Sequence, residues 1–170
     1  HLVRPADIEE VRGEHESPTD FALRAAREKA MAVAVDADLP VLGSDTVVEI
    51  DGAALGTPVD RADAVRMLRL LSGRTHHVHT AVALARGDVC AALVDTTFVT
   101  FRSLSDAMID WYTSADEPMD KAGAYAVQGR GGLLVSGIEG SPHTVVGLPI
   151  HRLPELFEHC GLDLWTLLGD

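Results

Sequence analysis

The chain has 170 residues, 46% of them hydrophobic, and sets 14 Lys and Arg against 26 Asp and Glu for a net charge of −12. Its arginines are scattered among acids, so no basic stripe exists to neutralise a nucleic-acid backbone, and the hydrophobic content excludes a disordered chain while suiting one domain with a buried core. No apolar run approaches the roughly 18 residues of a spanning helix, and the opening His1-Leu2-Val3-Arg4-Pro5 carries no leader pattern, which reads as a soluble cytoplasmic protein without membrane or nucleic-acid partners.

Residues 1–16 are acidic and uneven, and Glu9 and Glu10 read on their own as surface charge. Ser17-Pro18-Thr19-Asp20 is a helix start, with Ser17 as cap and Pro18 in the first turn, and the helix is expected over 18–35. Phe21, Ala25 and Ala32 form its predicted apolar stripe, with Arg24, Glu28 and Lys29 near the other face. A short strand over 40–43 is expected to break at Ser44-Asp45 and resume over 46–50, followed by a hairpin turn at Asp51-Gly52. Asp60 caps a second helix whose apolar positions Ala64, Val65, Met67, Leu68 and Leu71 keep helical spacing, and Ser72-Gly73-Arg74 ends it. Residues 75–85 and 89–101 read as an antiparallel pair. A third helix follows Ser105, then a Gly-rich stretch over 123–132, a strand over 133–138 and a closing helix over 149–160. No repeat or linker interrupts this order.

Several residues have the chemistry of a site. Asp45 interrupts an apolar strand, where a carboxylate is either a catalytic group at a strand end or a turn residue bonding its own backbone. Lys29 by itself reads as a solvated helix-face residue. In Asp120-Lys121-Ala122-Gly123-Ala124-Tyr125-Ala126-Val127-Gln128-Gly129, the glycines allow close approach of a ligand, Lys121 offers a compact cation and Gln128 suits a base edge. Glu139-Gly140-Ser141-Pro142-His143 reads as a turn. On a strand His77 and His79 share a face and His76 takes the other, so at most two ligands converge, and with no Cys or further His nearby a zinc site is not expected. Cys90 and Cys160 are too few for a disulfide framework.

Taken together, six stretches resemble the Maf family of nucleoside triphosphate pyrophosphatases: Leu23 to Ala30, Gly43-Ser44-Asp45-Thr46-Val47-Val48, Leu71 to His76, Thr97 to Ser105, Asp120 to Gly129, and Val145-Val146-Gly147-Leu148-Pro149. The likeness is collinear over essentially the whole chain, and both lysines fall inside it. It implies a mixed α/β fold of the Maf and ITPase-like type, with an elongated mixed sheet, flanking helices and two lobes around a cleft. It also implies hydrolysis of a nucleoside triphosphate between the α and β phosphates, with Mg²⁺ or Mn²⁺, by a homodimer. Asp45 would bind the metal or activate water, Glu10 would be a second carboxylate on the metal, and Lys29 would stabilise phosphate charge. Lys121, Gln128 and Arg74 would contact substrate, and Gln128 in this version of the loop resembles the subgroup acting on dTTP and UTP rather than 7-methyl-GTP.

Two departures from the family pattern bear on activity. The family's first strand and its Ser-x-Arg-Arg phosphate loop lie ahead of the point where this sequence starts, so residues 1–170 are expected to form one Maf-like domain lacking them. Thr57 stands in Gly56-Thr57-Pro58 where the family usually has Gly-Lys-Pro, which removes a cation whose loss typically costs about 2.7–4 kcal/mol of barrier. The alternatives are a weakly active nucleotide-binding regulatory module connected with cell division, and a pyrophosphatase for a modified purine.

Overall fold

Helix α1 (Pro18–Ala34) begins as its sequence predicts in the computed structural model, which describes residues 1–8 and 10–169. Glu9 therefore lies outside the described residues. Ser17 accepts from the Asp20 N–H, with Pro18 in the first turn. The buried stripe is rotated from the expected one: Ala22, Ala25, Ala26 and Ala30 are buried and Ala32 is exposed. This rotation brings Lys29 to the sheet. Small residues line that face because the first strand presses on it, and a Cβ added to Gly43 would stand 2.6 Å from the Ala26 carbonyl oxygen and 2.7 Å from the Ala30 nitrogen.

Strand β1 (Val41–Ile50) runs without the break expected at Ser44-Asp45. Both polar side chains are satisfied within the extended strand: Ser44 Oγ donates to the Gly147 carbonyl at 2.6 Å and Asp45 accepts from Lys29. Asp51 and Gly52 turn the chain with φ of 54° and 78°, the two positive values of a type I′ hairpin, into β2 (Ala53–Leu55). Helix α2 (Arg61–Leu71), capped by Asp60, leads to β3 (Thr75–Arg86), which a two-residue turn joins to β4 (Val89–Phe101). Then come α3 (Asp106–Thr113), 3-10 turns between 117 and 134, and β5 (Val135–Glu139). The turn expected at 139–143 instead starts a short helix, α4 (Pro142–Val146), and the closing helix is reduced to α5 (Leu153–His159), followed by α6 (Leu164–Leu168).

The sheet order is β2-β1-β3-β4-β5 and all four pairings are antiparallel. The mixed α/β class matches the expectation, but the mixed strand direction does not, because the tight turns after β1 and β3 join only antiparallel neighbours. Helix α1 covers one face through Val47, Ala81, Ala83 and Ala85. The other face carries two apolar clusters. One packs Val48, Val78 and Phe101 under α2 and α3, and the other packs Val82 and Leu84 under Leu156 of α5. Between them lies a polar seam at Thr46 and Thr80. No helix among the described residues is long and apolar enough to cross a membrane.

His76 is buried in the larger cluster at 1% exposure, with Nε2 2.8 Å from the Tyr125 hydroxyl and its ring edge-on to Phe101 and Tyr125. Burial, helped by the neighbouring His77, lowers its pKa from 6.5 to about 4. The folded chain thus holds this ring neutral, so its contribution is present above pH 6.5 and is lost as pH falls towards 4, by an amount on the order of 3 kcal/mol. In urea denaturation, His76→Gln should flatten the decline in stability across that window, and an equally steep decline in the variant would contradict the assignment. Gly43→Ala should cost about 1–3 kcal/mol in the same assay, because α1 cannot yield to the new methyl without moving off β1. An unchanged midpoint would show that α1 shifts freely.

Candidate functional site

β2 is short and pairs with β1 only from Val48 to Ile50, so the edge of β1 ahead of it is free for a cleft. A cavity of about 350 Å³ opens there, with Glu10, Lys29 and Asp45 on one wall and Asp120, Lys121 and Tyr125 on the other. A second hollow of about 580 Å³ continues from it and shares Glu10, Asp45 and Thr57.

Three charged groups from three segments meet at the cleft. Lys29 of α1 donates from Nζ to Asp45 Oδ1 at 2.7 Å, and the same ammonium stands 3.0 Å from Glu10 Oε2. The Asp45 side chain is 8% exposed, that of Lys29 21% and that of Glu10 41%. Burial pushes the Asp45 carboxyl above the usual carboxylate range, and the charge of Glu10 adds to this against the opposing pull of Lys29. Burial alone would lower the Lys29 pKa, but hydrogen bonds to Asp45 and Glu10 outweigh it and raise it. The ammonium keeps its proton. Lys29, expected from its sequence alone to be solvated, is therefore the centre of an ion triad, and Asp45 is a strand residue rather than a turn residue.

The facing wall is built by the Gly-rich segment. Gly123 adopts φ +69° and would place a Cβ 3.0 Å from Val48, while its N–H donates to the Gly56 carbonyl at 3.1 Å. At Gly129 a Cβ would collide with the Glu117 carboxylate, which accepts from the Arg130 and Gly131 N–H groups and from Tyr112 Oη. Both glycines thus admit the protein's own chain rather than a ligand. Lys121 Nζ donates to Asp120 Oδ2 at 2.6 Å on the half-exposed rim, so a cation stands across from the triad. Thr57 brings a hydroxyl to the same space.

Behind Thr46, which lines the cleft, runs a buried chain of hydroxyls. Thr80 Oγ1 donates to the Thr144 carbonyl at 2.6 Å, so its one proton is used and the 2.9 Å contact with Thr46 must be donated by Thr46. Thr144 donates in turn to the Asp95 carboxylate. These bonds pin α4 to β1 and β3 and bring Val145 and Val146 into the cleft wall. Sequence reading missed Thr80 and Thr144, which come from β3 and α4 and carry no shared local signal.

Two predicted substrate contacts lie elsewhere. Arg74 places Nη2 2.7 Å from both carboxylate oxygens of Asp51 at the β1–β2 hairpin, and Gln128 is exposed; neither lines the cleft. His76 faces away from His77 and His79 as expected, but these two meet a third ligand type, the Glu49 carboxylate, across the strand pair.

The sequence pattern described as Maf-like protein matches residues 1–160. A dTTP/UTP pyrophosphatase of Salmonella typhimurium is 52% identical over 154 residues, covering 89% of this chain and 78% of the relative. The dTTP/UTP pyrophosphatase of Escherichia coli is 51% identical with the same coverage, and that of Symbiobacterium thermophilum is 44% identical over 166 residues, 97% of this chain and 86% of the relative. With its fold, its collinear motifs and this extent of similarity, the chain belongs to the Maf family.

Proposed function

We propose that the chain is a nucleoside triphosphate pyrophosphatase acting on dTTP and UTP, releasing the monophosphate and pyrophosphate. The observation that carries this reading is the convergence of Asp45 and Glu10 on the Lys29 ammonium in a cleft with a second cation, Lys121, on its far wall. Relatives named dTTP/UTP pyrophosphatase support the substrate class.

Asp45 is assigned the role of general base. It is the more buried carboxylate and the one whose pKa is raised, which brings it closer to working pH. It takes the proton from the water that attacks the α phosphorus. Lys29 orients this carboxylate and offers a fixed positive charge to the phosphate oxygens, and Lys121 binds the outgoing phosphates. The two carboxylates also fit a hard divalent cation, since their oxygens already converge on one positive group, and Asp45 with Glu10 would hold it. Bound Mg²⁺ or Mn²⁺ would neutralise triphosphate charge. A homodimer and a cytoplasmic location belong to the same family reading.

Thr57 favours a second reading, a nucleotide-binding module with little turnover, because a hydroxyl replaces a charged donor at the cleft. Asp45→Asn tests the part of Asp45 in turnover: kcat for pyrophosphate release from UTP should fall about 10²–10⁴-fold in a variant that remains folded. Full turnover in the variant would overturn it, and a parent that binds UTP without turnover would favour the module.

A further inference from the structure

On the face of the sheet that α1 covers, beyond the helix, Glu49 of β1 stands opposite His77 of β3, and Val47 stands opposite His79. Residues two apart on a strand share a face, so Glu49, His77 and His79 project together. Glu49 Oε2 lies 2.7 Å from His79 Nε2 and 3.6 Å from His77 Nδ1. One possible ligand atom from each residue falls within 4.8 Å of the other two. A His–Glu hydrogen bond explains the first distance only. The second is too long for a hydrogen bond. It is close to the separation of about 3.3 Å between neighbouring ligands of a tetrahedral zinc ion with bonds near 2.0–2.1 Å.

The surroundings hold these rings as metal-binding imidazoles are held. His79 Nδ1 is 2.8 Å from Thr96 Oγ1, a hydroxyl that can donate or accept. When the Nε2 lone pair faces a cation, Nδ1–H can donate to Thr96, which fixes the tautomer. His77 packs edge-on to Phe98 at 4.8 Å between ring centres. Its side chain is 42% exposed, against 6% for His79 and 19% for Glu49, so the cluster is reachable from solvent through His77.

We propose that Glu49, His77 and His79 form a second metal site, for a borderline transition-metal dication such as Zn²⁺, with the fourth position open to water. Two imidazole nitrogens and one carboxylate suit zinc and its neighbours, whereas Mg²⁺ prefers all-oxygen donors like the carboxylate pair in the cleft. The two sites are four residues apart along the same face of β1, a span of about 13 Å at ~3.3 Å per residue. They therefore differ in both place and donor chemistry.

The test is calorimetric titration of the chain with Zn²⁺ in excess Mg²⁺, which occupies the cleft carboxylates, together with the visible absorption of Co²⁺ as a report on coordination. The expected result is one Zn²⁺ per chain at this site and tetrahedral Co²⁺ bands. His77→Gln, at a half-exposed position that the fold tolerates, should weaken Zn²⁺ binding about 100-fold, and Thr96→Val about 10-fold through the outer hydrogen bond. His159→Gln, an exposed control, should leave it unchanged. Zn²⁺ affinity that survives intact in both His77→Gln and Glu49→Gln, or octahedral Co²⁺ bands unaffected by them, would overturn the proposal.

Discussion

The close contact of α1 with β1 at Gly43 is the constraint from which the cleft follows. A strand and a helix backbone meet there without a side chain between them, and that proximity delivers the Lys29 ammonium onto the Asp45 carboxylate. Glu10 joins from the N-terminal segment and leaves the group with two negative charges and one positive. In a chain of net charge −12, a locus with a residual negative charge repels a triphosphate unless cations accompany it. Lys121 on the far wall answers part of that demand. The pKa of Asp45 at this locus is raised chiefly by burial, with the charge of Glu10 adding to it.

The sheet does two things for this site. Its α1 face carries the charged triad, and its opposite face is divided into two apolar clusters with a hydroxyl seam between them. Burying Thr80 and Thr144 at 0% exposure is tolerable only because each finds a partner, and their relay with the partly buried Thr46 meets that requirement while tying α4 to the strands. The Gly-rich segment closes the cleft from the other side by folding around Glu117. The N–H groups of Gly131 and Arg130, with Tyr112, keep that carboxylate below the usual range despite some burial. Rigid walls of this kind suit a reaction that depends on positioning charge rather than on moving parts.

Local chemistry made much of this legible. The Ser17 cap, the Asp51-Gly52 turn, the antiparallel pair expected over 75–85 and 89–101 and the Asp60 cap are written in adjacent residues, and each forms, the first strand of the pair running one residue further. What escaped depends on partners distant in sequence. Ser44 and Asp45 look like a strand break until Gly147 and Lys29 are known to satisfy them. Lys29 looks solvated because an all-alanine face gives a weak periodic signal. Arg74, a substrate contact on the family likeness, pairs with Asp51 outside the cleft lining, a partner that only the fold reveals. Glu49 becomes a neighbour of His77 only through strand register, which no local pattern reveals.

The central claim is tested most directly by identifying the products formed from UTP and dTTP by the unaltered chain in the presence of Mg²⁺ or Mn²⁺. Attack of water at the α phosphorus yields the monophosphate and one pyrophosphate per turnover. Release of inorganic phosphate with a nucleoside diphosphate, or nucleotide bound without any cleavage, would contradict it.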